Sequence, residues 1–204
     1  GSGKHINWSM STDWGSNLLE PGDDPVSNAR FLLFAAAVIE AVDTRAGLLR
    51  AAAATAGNDR RLGGNEAPPS VISIFLGEAL SGILDALVEG RPCESPSGGC
   101  LEIGTSTLPK LPRDITDRNR TSPFAFTGNK FEFRMVASSQ SAATPATVLN
   151  AAVAGVLAGY ADRLEAVAAK GGNVASEVSR IVVESYKAHR RVVFDGNGYS
   201  PEWA

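Results

Sequence analysis

Asp117-Arg-Asn-Arg-Thr-Ser-Pro-Phe-Ala-Phe-Thr-Gly-Asn-Lys-Phe-Glu-Phe-Arg-Met-Val136 is the stretch on which the reading of this chain turns. It ends in a strict alternation: Lys130, Glu132 and Arg134 fall on one side, Phe131, Phe133 and Met135 on the other. A period of two marks a β-strand with one buried face. The aromatic side packs on a core, and the other presents a carboxylate between two cations. Thr127-Gly128-Asn129 reads as a turn, so a strand pair is expected around it. Arg118 and Arg120 add two further cations upstream. Four cations around one carboxylate suit a site for anionic groups and a metal. A salt-bridged strand surface accounts for the pattern equally well.

Residues 1–11 carry the same period: Ile6, Trp8 and Met10 alternate with His5, Asn7 and Ser9. A strand there puts His5, Asn7 and Ser9 on one face. After a polar loop over 13–24, Ser27 or Asn28 is placed to cap a long helix with an apolar stripe through Phe31, Phe34, Val38, Val42, Leu48 and Leu49. Its Ala-rich tail reaches Ala56, and Gly57-Asn58 ends it. Residues 60–69 read as a loop, 71–76 as a buried strand, 78–89 as an amphipathic helix and 90–112 as an irregular Pro-containing loop. A helix over 146–170 carries Val148, Leu149, Val153, Leu157, Tyr160 and Leu164 on its apolar side and stops at Gly171-Gly172. Another follows over 174–190. Helices at both ends with strands between predict an α+β fold rather than a doubly wound sheet.

At 204 residues and 44% hydrophobic, the chain has material for one domain or a large piece of one. A net charge of −3 offers no global basic field, so no nucleic-acid partner is expected. The longest apolar run, residues 31–39, is broken by Glu40 and is too short to cross a bilayer, so no membrane partner is expected either. Cys93 and Cys100 flank a Ser/Pro/Gly loop and are a disulfide or two free thiols. Without a local His they make a poor zinc site. His189 lies in no motif and, beside Lys187, Arg190 and Arg191, reads as a solvated or helix-dipole side chain.

Four segments resemble glutamine synthetase, and most closely its type III branch. They are Gly1-Ser-Gly-Lys-His-Ile-Asn-Trp-Ser-Met10, Ala56-Gly-Asn-Asp-Arg-Arg-Leu-Gly-Gly-Asn-Glu-Ala-Pro-Pro69, the 117–136 stretch and Val193-Phe-Asp-Gly-Asn-Gly-Tyr-Ser200. Each alone is weak; four in the family order are specific. The resemblance implies an α+β fold, part of the glutamine synthetase catalytic domain, with antiparallel strands lining the active site and long packing helices. It implies that residues 1–204 are a C-terminal portion of that domain, without the N-terminal β-grasp domain or the first half of the catalytic domain. The implied activity is glutamate–ammonia ligation: glutamate and ATP give γ-glutamyl phosphate, which ammonia converts to glutamine. ATP as co-substrate, Mg²⁺ or Mn²⁺, a cytoplasmic setting with reduced thiols, and a ring homo-oligomer, a dodecamer, come with the resemblance. The chain by itself is expected to be inactive. Two alternatives are a ligase for another amine, which the match over 119–126 opposes, and a non-catalytic fragment or split subunit that supplies assembly surface.

The resemblance also implies roles by motif position. His5 and Glu132 match ligands of one divalent ion that bridges nucleotide phosphates, a hard-ion task suited to carboxylate and phosphate oxygens. Arg120 matches the arginine on the transferred phosphate. Arg61 and Arg134 match those that grip glutamate, with the planar fork a carboxylate needs, and Gly1 matches a backbone contact to it. Glu66 matches the carboxylate that closes a flap and takes a proton from ammonium, so Glu66 and Arg120 are the implied catalytic residues. Its Gly-rich loop suits a moving lid. Ser9 and Lys130 match nucleotide contacts. Two positions depart from the commoner branches: Asn7 stands where they have a second His, and Ala125 where they have a further Arg.

Overall fold

The structure is a computed structural model that describes residues 3–64, 68, 71–92, 121–198 and 200. Gly1, Glu66, Cys93, Cys100, Arg118 and Arg120 lie outside the described residues. Strands β1 (Gly3–Trp8), β2 (Ile74–Phe75), β3 (Phe124–Phe126) and β4 (Phe131–Ala137) form one sheet in the order β1-β4-β3-β2. Among the described residues the helices are α1 (Ala29–Ala53), α2 (Glu78–Glu89), α3 (Ala143–Ala169) and α4 (Val174–His189). The α+β expectation holds, but the sheet is mixed. β4 runs antiparallel to β1 and β3, whereas β2 is parallel to β3. A parallel pair needs a crossover instead of a hairpin, and α2 lies in the one between β2 and β3.

The β3–β4 hairpin turns at Gly128, whose φ of +97° is a conformation glycine adopts without strain. Phe131, Phe133 and Met135 are at most 1% exposed, as the alternation requires. Phe124 stacks on Phe131 at 4.9 Å between centroids and meets Phe133 edge-on at 6.0 Å. Phe31 of α1 reaches Phe126 at 5.8 Å, which joins helix and sheet in one core. Such aromatic pairs contribute about 1 kcal/mol each beyond the area they bury.

Helix α1 is buried nearly all round from Phe31 to Val42, because its alanines let α3 and α4 approach closely. Asn28 caps it, accepting the Phe31 N–H at 3.0 Å. It ends at Ala53, three residues earlier than expected. Asn58 Nδ2 donates to the Ala53 carbonyl at 2.8 Å and terminates the helix through a side chain. Helix α3 begins at Ala143, earlier than expected, since Pro145 sits in the first turn where its missing N–H is no loss. The expected strand over 71–76 shrinks to Ile74–Phe75, and Val71 is 59% exposed.

The tail after α4 returns to the sheet. Val193 bridges Ile74, and the Phe194 N–H donates to the Ile74 carbonyl at 2.8 Å. Asp195 then accepts the N–H groups of Leu76 (2.8 Å) and Gly77 (2.9 Å) and the Ser81 hydroxyl. Gly77 has no side chain to offer at the start of α2, and a carboxylate from more than a hundred residues away satisfies the backbone N–H groups just ahead of the helix.

Candidate active site

The pairing of β1 with β4 builds the site. Asn7 lies opposite Glu132 and Trp8 opposite Phe131, but the register shifts between Lys4 and Ile6. Lys4 faces Val136 and Ile6 faces Phe133, so His5 alone opposes both Arg134 and Met135. Such a bulge bends the strand and re-aims a side chain. The extra residue here lies on β4, and across the paired strands His5 Nδ1 stands 3.7 Å from Glu132 Oε2. Glu132 Oε2 also accepts from Arg134 Nε at 3.3 Å and Nη2 at 3.2 Å.

Exposure is graded across these three groups. The side chains of Arg134, Glu132 and His5 are 10%, 20% and 55% exposed. A buried cation thus forms the floor, a carboxylate the wall and an imidazole the rim. The His5–Glu132 gap is too long for a hydrogen bond. The imidazole is held toward its neutral form, first by burial and then by the charge of Arg134, with Arg61 adding to this and Glu132 opposing it. A neutral imidazole keeps a lone pair for a ligand.

Asn7 on β1 and Ala125 on β3 are the direct cross-strand partners of Glu132. The two departures from the commoner pattern, far apart in sequence, therefore flank the same carboxylate. No local signal could have joined them.

Arg61 is tied to the same strands. Its Nη2 donates to the Met135 carbonyl and Nε to Asn58 Oδ1, at 2.8 and 2.7 Å. Burial lowers the pKa of its guanidinium, which stays cationic at neutral pH. It lies so close over β1 that a Cβ on Gly3 would come within 2.5 Å of Nη1. Only glycine at position 3 admits the arginine in this place. Asn58 itself is fully buried and gives one amide hydrogen to Ala53 and the other to Met135. Sequence reasoning took it as a helix stop and missed it as the anchor of Arg61. A polar amide just before Arg60-Arg61 was the only available sign.

Ser9 and Lys130 fall at the other end of the strand pair. The Ser9 hydroxyl donates to Asn17 Oδ1 at 2.6 Å, and Asn17 Nδ2 donates to the Asn129 carbonyl at 2.8 Å. This ties Ser9 to the hairpin that carries Lys130, whose carbonyl accepts the Thr127 N–H at 2.9 Å. The structure thus brings His5, Glu132, Arg134 and Arg61 together and sets Ser9 beside Lys130. Among the described residues no cluster of three or more His, Cys, Asp or Glu forms, so His5 and Glu132 stand as a two-donor set.

No protein-family model matches the chain. Over its whole length it is 50% identical to the type-3 glutamine synthetase of Dictyostelium discoideum. It is 43% identical, again over its whole length, to the glutamine synthetases of Bacteroides fragilis (strain YCH46) and Butyrivibrio fibrisolvens. The chain spans 28% of the length of each of these relatives. The resemblance to glutamine synthetase read from four motifs therefore extends to all of it.

Proposed function

We propose that this chain, related along its whole length to glutamine synthetases, supplies one wall of the active site of a glutamate–ammonia ligase. The observation that carries the reading is the convergence of His5, Glu132 and Arg134 on one sheet face, with Glu132 Oε2 3.7 Å from His5 Nδ1 and 3.2 Å from Arg134 Nη2. In this reading residues 1–204 are a C-terminal portion of the catalytic domain, and the rest of the site comes from other parts of a longer cytoplasmic protein. Ring assembly as a dodecamer belongs to the same reading.

His5 and Glu132 fit a hard divalent ion in part: a carboxylate oxygen and a neutral imidazole nitrogen face each other across a gap neither closes. Mg²⁺ or Mn²⁺, when bound, supplies positive charge against the oxygens of ATP phosphates. The protein's own groups do the rest. Arg134 aims the Glu132 carboxylate with two donors and brings a buried positive charge to the site, where glutamate's carboxylate is held. Arg61, fixed by Asn58 and Met135, adds a second fork for the same substrate. Ser9 and Lys130 contact the nucleotide, and Gly1 presents backbone to glutamate. Arg120 stabilises charge on the transferred phosphoryl group. Glu66 takes the proton from ammonium and covers γ-glutamyl phosphate against water.

The test is glutamine formation by the full-length protein from glutamate, ammonia and ATP with Mn²⁺. Wild-type protein without that activity overturns the reading. Glu66→Ala is expected to spare phosphate release while glutamine falls, because the unprotected intermediate hydrolyses or cyclises. A matched fall in both, with their ratio unchanged, removes Glu66 from the ammonium side.

A further inference from the structure

The tail that follows α4 makes a second contact, and this one leads to the site. The Gly198 N–H donates to Thr121 Oγ1 at 2.7 Å. Gly198 is buried, and a Cβ built on it would stand 2.9 Å from the Thr121 carbonyl oxygen and 3.2 Å from Oγ1. Contact with backbone at that distance has no flexible end to give way, so any side chain at 198 displaces Thr121. The next two residues hold Arg134. The Ser122 carbonyl accepts from Arg134 Nη1 at 3.5 Å, and the Pro123 carbonyl accepts the Arg134 backbone N–H at 2.9 Å. Arg134 in turn holds Glu132 through Nε and Nη2.

We propose that the segment after α4, through Gly198 seated on Thr121, is a positioning element of the candidate active site. It sets the run-in to β3, which sets Arg134, which sets the Glu132 carboxylate beside His5. The inference rests on the ligase reading only for what the site does; the coupling itself is a matter of contacts. Upstream, Phe194 and Asp195 fasten the tail to β2 and α2, so Gly198 is delivered by an anchored segment. Groups that orient a ligand from behind typically cost about 10- to 100-fold in metal affinity or activity when removed.

The experiment uses the full-length protein with Gly198→Ala, Thr121→Val and Thr121→Ser. Mn²⁺ affinity is read by electron paramagnetic resonance, and KM for glutamate and for ATP by steady-state kinetics. Gly198→Ala and Thr121→Val are each expected to weaken Mn²⁺ binding about tenfold and to raise the KM for glutamate and, through the shared ion, for ATP. Thr121→Ser keeps the hydroxyl acceptor and is expected to restore both. Wild-type Mn²⁺ affinity and glutamate KM in folded Gly198→Ala and Thr121→Val overturn the proposal, as does an equal loss in Thr121→Ser. Should Gly198→Ala fail to fold, the Thr121 pair decides. If wild-type protein makes no glutamine, the ligase reading fails while the Mn²⁺ arm still decides the role of the tail.

Discussion

The molecule holds two sets of histidine, carboxylate and arginine, and they are built in opposite order. On the sheet, His5, Glu132 and Arg134 run from exposed imidazole to buried guanidinium. Between α1 and the end of α4, Asp43 is the buried member at 8%, His189 is 19% exposed and Arg191 is 78% exposed. His189 Nδ1 lies 2.8 Å from Asp43 Oδ2, and Arg191 Nε donates to Oδ1 at 2.9 Å. Both oxygens of Asp43 are thus engaged, and the set is closed. On the sheet both arginine donors share one oxygen of Glu132, and the imidazole stops 3.7 Å short. A closed set ties elements together; an open one has bonding left to give a ligand. The same contrast applies to Glu177, 5% exposed and held by Arg163 and Arg180.

That contrast is broken or sharpened by four substitutions in the full-length protein. The largest effect is expected from Glu132→Gln, which keeps shape and an acceptor for Arg134 but loses the charge. Glutamine formation should fall about 100-fold with weakened Mn²⁺ activation, a loss far larger than the accompanying fall in the thermal midpoint accounts for. Wild-type kinetics would make the sheet set as structural as the other. Arg134→Lys comes next. Losing the planar fork should raise the glutamate KM about tenfold, the equivalent of one charge-assisted hydrogen bond, and leave the ATP KM nearly unchanged. Equal losses for both substrates would mean that Arg134 acts through the fold.

Asp43→Asn should do the reverse, lowering stability by about 1–3 kcal/mol in urea unfolding with kcat/KM intact. Its pH dependence follows from the direction of the shift. Burial pushes the Asp43 carboxyl up, but hydrogen bonds from Arg191 and His189, with their charges, bring it below the ordinary value of 3.8. A carboxyl lowered on folding adds stability above that unfolded value and loses it as pH falls through the folded one. The gap between wild type and Asp43→Asn should therefore close on acidification below about pH 4. A gap independent of pH would mean that Asp43 acts by packing alone. Arg191→Ala is expected to be smallest, with the urea midpoint hardly moved, because its side chain is mostly in water. A larger loss would show that the closed set depends on its exposed arginine.

Much of this was legible in the residues. The alternation over 130–135 announced a strand with an aromatic inner face, and Phe131, Phe133 and Met135 are buried as it required. The span 78–89 for α2 was correct to the residue, since its apolar period sits between Gly77 and Gly90. His189 was legible only in part: it was read as a solvated or helix-dipole side chain, and it does close the last turn of α4, but its bond to Asp43, 146 positions away, had no sign in the sequence. Nor was Arg134 as a buried floor. Alternation assigns a side chain to a face of a strand but cannot say whether that face is covered.

What the sequence determined alone is what neighbouring residues decide among themselves: strand and helix periods, a helix cap at Ser27 or Asn28, the glycine turn at 128, and motif residues spaced as in glutamine synthetase. What only the tertiary structure decided depends on partners far along the chain. His5 comes within 3.7 Å of Glu132 because β1 pairs with β4. Asn58 becomes an anchor through Met135, 77 positions on, and Asp195 becomes a clasp on the entry to α2 through Leu76, 119 positions back. Local periods follow from backbone geometry that each short stretch carries with it. A buried polar group instead takes its role from whichever donor or acceptor the fold brings opposite, and that choice is made only when the chain closes on itself.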